Sequence, residues 1–338
     1  MRDDLGQIHL TSDLPGTGGR IKEQPQDFIV EEVPLYQTTN EGNFTFLLVE
    51  KINLSTLDLV TLVRNHLDLR DDQVGLAGWK DKRAVTRQWI SVPREHVSDS
   101  RLARLTGEGL QILGETHHFH KLRTGHLLGN RFSVLIRLAD PEAEARARAI
   151  IQRFQTEGLP NFYGPQRFGV AGDNPEKGLA VLLGRQKVRS VRKRKLLASS
   201  YSSLLFNLTL KERLEQGFYT RLLLGDIAKK HDTGGLFVVS DPVVEQPRAD
   251  RLEISATGPI WGKKMRKPGD AAAALEEKIL RWQGLTPDAF RKQPGSRRSL
   301  RVALREFALL QEPDGLRLDF FLPKGSYATV LLAEIMKV

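Results

Sequence analysis

Cysteine is absent from this sequence, so no disulfide and no thiolate metal site can form, and no metal is expected. Long apolar runs are missing too. None approaches the roughly 20 residues that a membrane span needs, which excludes a helical membrane protein. The polar start Met1-Arg2-Asp3-Asp4 leads into no apolar stretch of the signal-peptide kind, so a cytoplasmic location is expected. There is no internal repeat and no low-complexity tract. What is present is ordinary for a globular chain: 40% hydrophobic and 27% charged residues over 338 positions, enough for one elaborate domain or two. The charge leans one way, to a net +10 and a pI near 9.8. A cationic surface attracts phosphate and releases counterions from it, so polyanions are the favoured partners. A ribosome-associated structural protein has the same balance.

Hydrophobic patterning divides the chain. Arg20 to Val33 reads as extended, with Phe28, Ile29 and Val30 at its heart, and Asn43 to Val49 alternates as a strand does. Ser55 with Asp58 forms an N-cap signature before Leu59, Val60, Val63 and Leu67, which recur at helical spacing. Val85 to Val92 and Arg131 to Leu138 read as further strands. Asp140-Pro141 opens a helix with apolar face Ala143, Ala147, Ile150, Ile151 and Phe154, stopped by Gly158 and Pro160. Beyond about Asn161 helical patterns dominate, at Ser203 to Leu214 and Ala271 to Trp282. Strand character returns in a hairpin, Phe307 to Glu312 and Leu316 to Leu322 around Pro313-Asp314-Gly315. This alternation points to a second domain inserted into the first. Two basic clusters fall in the inserted region, Lys187 to Lys195 and Arg291 to Arg305. One such run is usually a solvated face, but two favour nucleic-acid contact.

The densest candidate for chemistry is Gly75-Leu76-Ala77-Gly78-Trp79-Lys80-Asp81-Lys82-Arg83-Ala84-Val85-Thr86-Arg87-Gln88-Trp89. Asp81 sits among Lys80, Lys82 and Arg83. Cations beside a carboxylate favour its charged form, which suits a nucleophile or an electrostatic stabiliser. By pattern alone, the stretch also reads as an exposed turn.

This segment resembles the motif that carries the catalytic aspartate in the TruD family of tRNA pseudouridine synthases, an Ala-Gly-X-Lys-Asp core followed by Ala-X-Thr-X-Gln. Four other segments resemble that family in the same order: Gly19 to Glu32, Gly129-Asn130-Arg131-Phe132, Leu159 to Gly169, and Leu322 to Thr329. The resemblance runs from about residue 19 to 335.

The resemblance implies a V-shaped α+β protein. Residues 1–160 and 304–338 would form a pseudouridine synthase fold with a central, mainly antiparallel sheet. Residues 161–303 would form an inserted α/β TRUD domain, with RNA received between the two arms. It implies isomerisation of uridine to pseudouridine in tRNA, at uridine 13 of the D arm, by a monomer without a cofactor. Asp81 would be the essential carboxylate, either attacking C1′ or promoting elimination through a glycal-like intermediate. Lys22 matches the cation that pairs with it; otherwise it is a surface lysine. Phe28, Asn130, Phe132 and Tyr327 match positions that shape the uridine pocket. An asparagine offers donor and acceptor to a base edge, and an aromatic stacks on it. Phe132 also reads as strand core, and Tyr327, where the family usually has phenylalanine, as a core aromatic at a helix start. Arg167 fits either a phosphate contact or a structural ion pair. Arg192, Lys193 and Arg194 would grip phosphates. The rival expectation is an RNA-binding protein of the same fold without catalysis.

Overall fold

The computed structural model describes residues 9–107 and 109–338, so the Met1-Arg2-Asp3-Asp4 start lies outside the described residues. The chain divides into two compact units, one of Thr17–Ala145 and Arg305–Gly325, the other of residues 9–16, Arg146–Leu304 and Ser326–Lys337. The first unit contains β1 (Phe28–Pro34), β2 (Phe44–Ile52), α1 (Thr56–Leu67), β3 (Gly75–Leu76), β4 (Val85–Pro93), α2 (Asp99–Leu105), β5 (Leu110–His118) and β6 (Leu127–Arg137). Helix α3 (Ala143–Glu157) carries the chain into the second unit. There follow β7 (Leu159–Pro160), α4 (Asn174–Leu182), α5 (Val191–Glu215), β8 (Ile227–Lys230), β9 (Leu236–Val238), α6 (Pro242–Asp250), β10 (Ile254–Ile260), α7 (Asp270–Trp282), β11 (Ser296–Ser299) and β12 (Arg301–Val302). The chain returns to the first unit as β13 (Arg305–Glu312) and β14 (Gly315–Pro323), then ends in the second with α8 (Ala328–Met336).

The first unit is built on an eight-stranded sheet of order β13-β14-β6-β1-β4-β2-β5, with β3 attached to β4. Its strand pairs are antiparallel except β1 with β4. Residues paired across strands point the same way. Val30 pairs with both Thr86 and Phe132, Thr86 pairs with Lys51, and Phe132 pairs with Phe320. Alternation then puts Phe28, Glu32, Asn130, Gln88, Val49 and Leu47 on that same face. At the β2 end this face packs Leu47, Val49 and Ile90 against Leu59, Val63 and Leu67 of α1. The opposite face buries Phe46 with Ala77, Leu122 and Leu127. Helix α1 starts as its sequence dictates: Ser55 accepts from the Asp58 backbone and Asp58 accepts from the Ser55 backbone.

Two strand pairings set the surroundings of the Asp81 loop and of Asn130. Parallel β1–β4 pairing spans only Ile29 to Glu31 on β1, after which β3 occupies the β4 edge at Ile90 and Ser91. Gly129 of β6 lies so close to β14 that a Cβ there would collide with the Leu322 carbonyl, so glycine is required beside Asn130.

In the second unit α5 runs through the core beside a four-stranded sheet, β11-β10-β8-β9. From Leu197 to Arg213 it is buried on nearly every side, and its buried hydroxyls at Ser202, Ser203 and Thr209 donate to carbonyls one turn back. Two side-chain clusters surround it, one with Tyr201, Trp261 and Phe290, the other with Phe206, Ile254 and Leu300. The second basic cluster does not form one exposed face: Arg291, Lys292 and Arg305 are exposed, whereas Arg297 and Arg301 are not. Arg297 is wholly buried and pairs with Glu276 at 2.5 Å. Arg301 is buried and donates to the Glu157 and Ala249 carbonyls. Burying a charge is unfavourable unless it is paired and hydrogen-bonded, so these guanidinium groups belong to the core and not to a phosphate-binding face.

Candidate active site

Asp81 lies on the loop between β3 and β4, and that loop is pinned at successive residues. Lys51, fully buried opposite Thr86 on the sheet, donates through Nζ to the Leu54 carbonyl at 2.6 Å and to the Asp81 carbonyl at 2.8 Å. Burial pushes the Lys51 ammonium down to about 8, with Asp81 working in the other direction. Thr56 accepts from the Lys80 backbone N–H at 2.9 Å and donates to the Lys80 carbonyl at 3.2 Å. Lys80 Nζ meets Glu32 Oε2 at 2.6 Å, both side chains being almost wholly buried, and Glu32 Oε1 accepts from the Trp89 backbone N–H. The residues around Asp81 are therefore fixed by the sheet, while its own carboxylate projects outward with 40% of the side chain exposed.

That carboxylate meets Lys22 Nζ at 2.6 Å. Lys22 has a φ of 60°, a left-handed backbone that a non-glycine residue seldom adopts. Its ammonium also sits 3.9 Å from the centre of the Phe28 ring. Beyond Phe28 the aromatics continue across the sheet, Phe28 to Phe132 at 6.1 Å edge-on and Phe132 to Phe320 at 5.2 Å stacked. Four expected residues, Lys22, Phe28, Asp81 and Phe132, thus form one connected group. Phe132 is partly buried and is at once strand core and wall of this group. Asn130 lies one pair along on the same face. Among the described residues its buried Oδ1 has no hydrogen-bond partner, and neither have Thr86 Oγ1 and both amide atoms of Gln88. Leaving buried polar atoms unmet costs about 1–3 kcal/mol each, so their concentration on the face beneath Asp81 marks a place kept polar for a reason other than stability.

Tyr327 belongs to the second unit, at the N-cap of α8. Its ring contacts Tyr163 edge-on at 5.8 Å. Burial raises the Tyr327 phenol, and Arg167 and Arg298 pull it back. Arg298 stacks over Tyr163 at 4.1 Å and donates to the carbonyl and side chain of Asn161. Arg167 donates to Ser199 at 2.7 Å and Ser203 at 3.0 Å, hydroxyl partners that leave its charge uncompensated by them. Arg192, Lys193 and Arg194 are exposed in the first turn of α5. Cations are unfavourable at that positive end of a helix, so their placement serves something other than helix stability.

Sequence patterning did not reveal Lys51 or Phe320, and although it included Glu32, Lys80 and Arg298 in motifs or basic runs, it gave no sign of the buried Glu32–Lys80 pair or of Arg298 stacking on Tyr163. Phe320 was accessible in principle from the alternation of the last strand. A lysine buried behind a loop has no local signature. Among the described residues no group of three histidines or carboxylates is placed to hold a metal, and no helix is long and apolar enough to cross a membrane.

Comparison with known proteins gives a consistent answer. The sequence model of the family tRNA pseudouridine synthase D (TruD) matches residues 4–187 and 184–335. The tRNA pseudouridine synthase D of a Thermus thermophilus strain is 46% identical over 329 residues, covering 97% of this chain and 92% of the relative. That of an Anaeromyxobacter species is 42% identical over 338 residues, covering 97% and 95%. A Methanosarcina mazei crystal structure bearing the same family name superposes with a TM-score of 0.77 at 21% identity, covering 100% of this chain and 97% of that one, and shows a common fold.

Proposed function

Because the chain belongs to the TruD family of tRNA pseudouridine synthases, we propose that it isomerises uridine to pseudouridine in tRNA, at uridine 13 of the D arm, with Asp81 as the essential carboxylate. The observation that carries this reading is the geometry of Asp81, an accessible carboxylate 2.6 Å from a single ammonium on a backbone held by buried partners. In the reaction the C1′–N1 bond breaks, the base turns, and C5 bonds to C1′ as it gives up its proton while N1 gains one. Atoms and electrons balance within the nucleoside, so we assign no cofactor. Asp81 either adds to C1′ or draws off a sugar proton towards a glycal-like intermediate. Both routes use a charged carboxylate next to the sugar, and Lys22 orients it.

The target nucleotide has to leave its stack to expose C1′. Phe132, partly exposed, supplies aromatic surface on the face beneath Asp81, Phe28 backs it from a buried position under Lys22, and Asn130 supplies an unmet polar atom for the base edge. Tyr327 is assigned a further stacking role. Arg167 and the exposed Arg192, Lys193 and Arg194 serve the phosphates. We take residues 1–160 and 304–338 as the synthase part and 161–303 as the inserted part of a cytoplasmic monomer. Mass spectrometry of tRNA from cells with and without this protein tests the reading. Loss of one pseudouridine at position 13 supports it. An unchanged modification profile refutes it.

A further inference from the structure

Where β1 leaves β4, the sheet opens. Pairing stops at Glu31, and the residues after it line a cavity of about 320 Å³ together with the far side of the strands. Tyr36, Phe46 and Trp89 give it aromatic walls, and Gln37, Thr38 and His126 give it a polar edge. Apart from the Trp89 backbone N–H, which holds Glu32, none of these residues has a role at Asp81. Tyr36 is held in place by a 2.9 Å hydrogen bond to His126 Nδ1 and by stacking on His118 at 5.1 Å. Among the described residues, His126 Nε2 and the exposed Gln37 amide have no hydrogen-bond partner. Arg123, exposed, lies close enough to act electrostatically on Tyr36. A cavity with aromatic walls, hydrogen-bonding groups at its edge and a cation near Tyr36 matches one ligand chemistry well: a nucleobase on a phosphate backbone.

We propose that this cavity receives a second unstacked base of the substrate RNA, distinct from the target uridine. The proposal rests on the RNA-modifying function argued above and names a further contact for it. One wall of the cavity is Glu32, the residue that accepts from Lys80, the immediate neighbour of Asp81. A base seated against Glu32 therefore packs on the strut that fixes the Asp81 loop, so occupancy sets the register of the RNA relative to the carboxylate.

The experiment is a cycle of paired changes. Defined tRNA transcripts carry an abasic site at one position at a time around the target. Each is assayed for pseudouridine formation with the wild-type protein, Tyr36→Ala and Gln37→Ala, with Tyr36→Phe as the conservative control. Base–aromatic stacking is worth about 1–3 kcal/mol, so Tyr36→Ala should lower kcat/KM by roughly 5- to 150-fold, mainly through KM, with Tyr36→Phe near wild type. At one transcript position the abasic change should have no further effect in Tyr36→Ala or Gln37→Ala. Additive losses at every position would overturn the proposal. So would saturable binding of adenosine or uridine monophosphate that Tyr36→Ala abolishes while tRNA kinetics stay unchanged, since the cavity would then serve a free nucleotide. A wild-type protein that forms no pseudouridine in the intact transcript would instead refute the function itself.

Discussion

Replacing Lys51 with methionine separates the placement of the Asp81 loop from the stability of the fold. Lys51 is fully buried, and its two acceptors are backbone carbonyls, not carboxylates. Each charge-assisted bond contributes about 1.5–3 kcal/mol. Against this, burial lowers the Lys51 ammonium to about 8 from its ordinary 10.5, which corresponds to about 3 kcal/mol against the charged form. Methionine has similar length and no desolvation penalty, so the global loss should be small, within about 4 °C in Tm. The loop is a different matter. The Asp81 carbonyl loses its donor, and displacement of a reacting group by about 1 Å costs on the order of 100-fold in rate. Single-turnover pseudouridine formation should fall roughly 10- to 100-fold at saturating tRNA, with tRNA affinity unchanged. The sign of the pH effect follows from the same group. Between about pH 8 and the ordinary lysine value of 10.5 the unfolded chain holds a proton that the folded chain has released. Raising pH through that window therefore adds stability from this residue while it weakens the bond to the Asp81 carbonyl. Activity should decline above pH 8 in the wild type. A Lys51→Met protein with full turnover, or one that fails to fold, would refute the reasoning.

Lys22→Met should cut turnover roughly 10- to 100-fold with little change in thermal stability, because a partly exposed ion pair contributes no more than about 1 kcal/mol to folding; kinetics and melting curves on one preparation check both halves. Changing Arg192, Lys193 and Arg194 together to glutamine should weaken tRNA binding and reduce the log–log salt slope by about 2–3, as filter binding across salt concentrations would show. Glu276→Gln should destabilise the protein by about 3 kcal/mol in denaturant titrations by leaving buried Arg297 charged and half-paired, yet leave the salt slope unchanged.

How much of this was legible in the sequence depended on whether the signal was local. The Ser55 cap, the α1 stripe and the final hairpin are written in neighbouring residues, and the structure has each of them in the expected segment; the Asp81 motif is equally local in sequence. Helix α5 was visible only from Ser203, because its first turns are exposed and basic and lack apolar periodicity, whereas the helix begins at Val191. The run from Arg297 to Arg301 looked like surface charge. Its burial depends on partners such as Glu276 and the Glu157 carbonyl, distant in sequence. Likewise the Lys51, Thr56 and Glu32 supports under Asp81 come from three separate elements, so only tertiary structure gathers them. The Lys22–Asp81 pair spans 59 residues and entered the sequence reading through family resemblance alone.

The most direct test is Asp81→Asn, an isosteric change that removes the charge and leaves the backbone anchors to Lys51 in place. Chemical mapping of a defined tRNA transcript should show no pseudouridine at the target with the variant, while tRNA affinity stays within twofold of wild type. Pseudouridine appearing at the wild-type rate would contradict the assignment of this carboxylate.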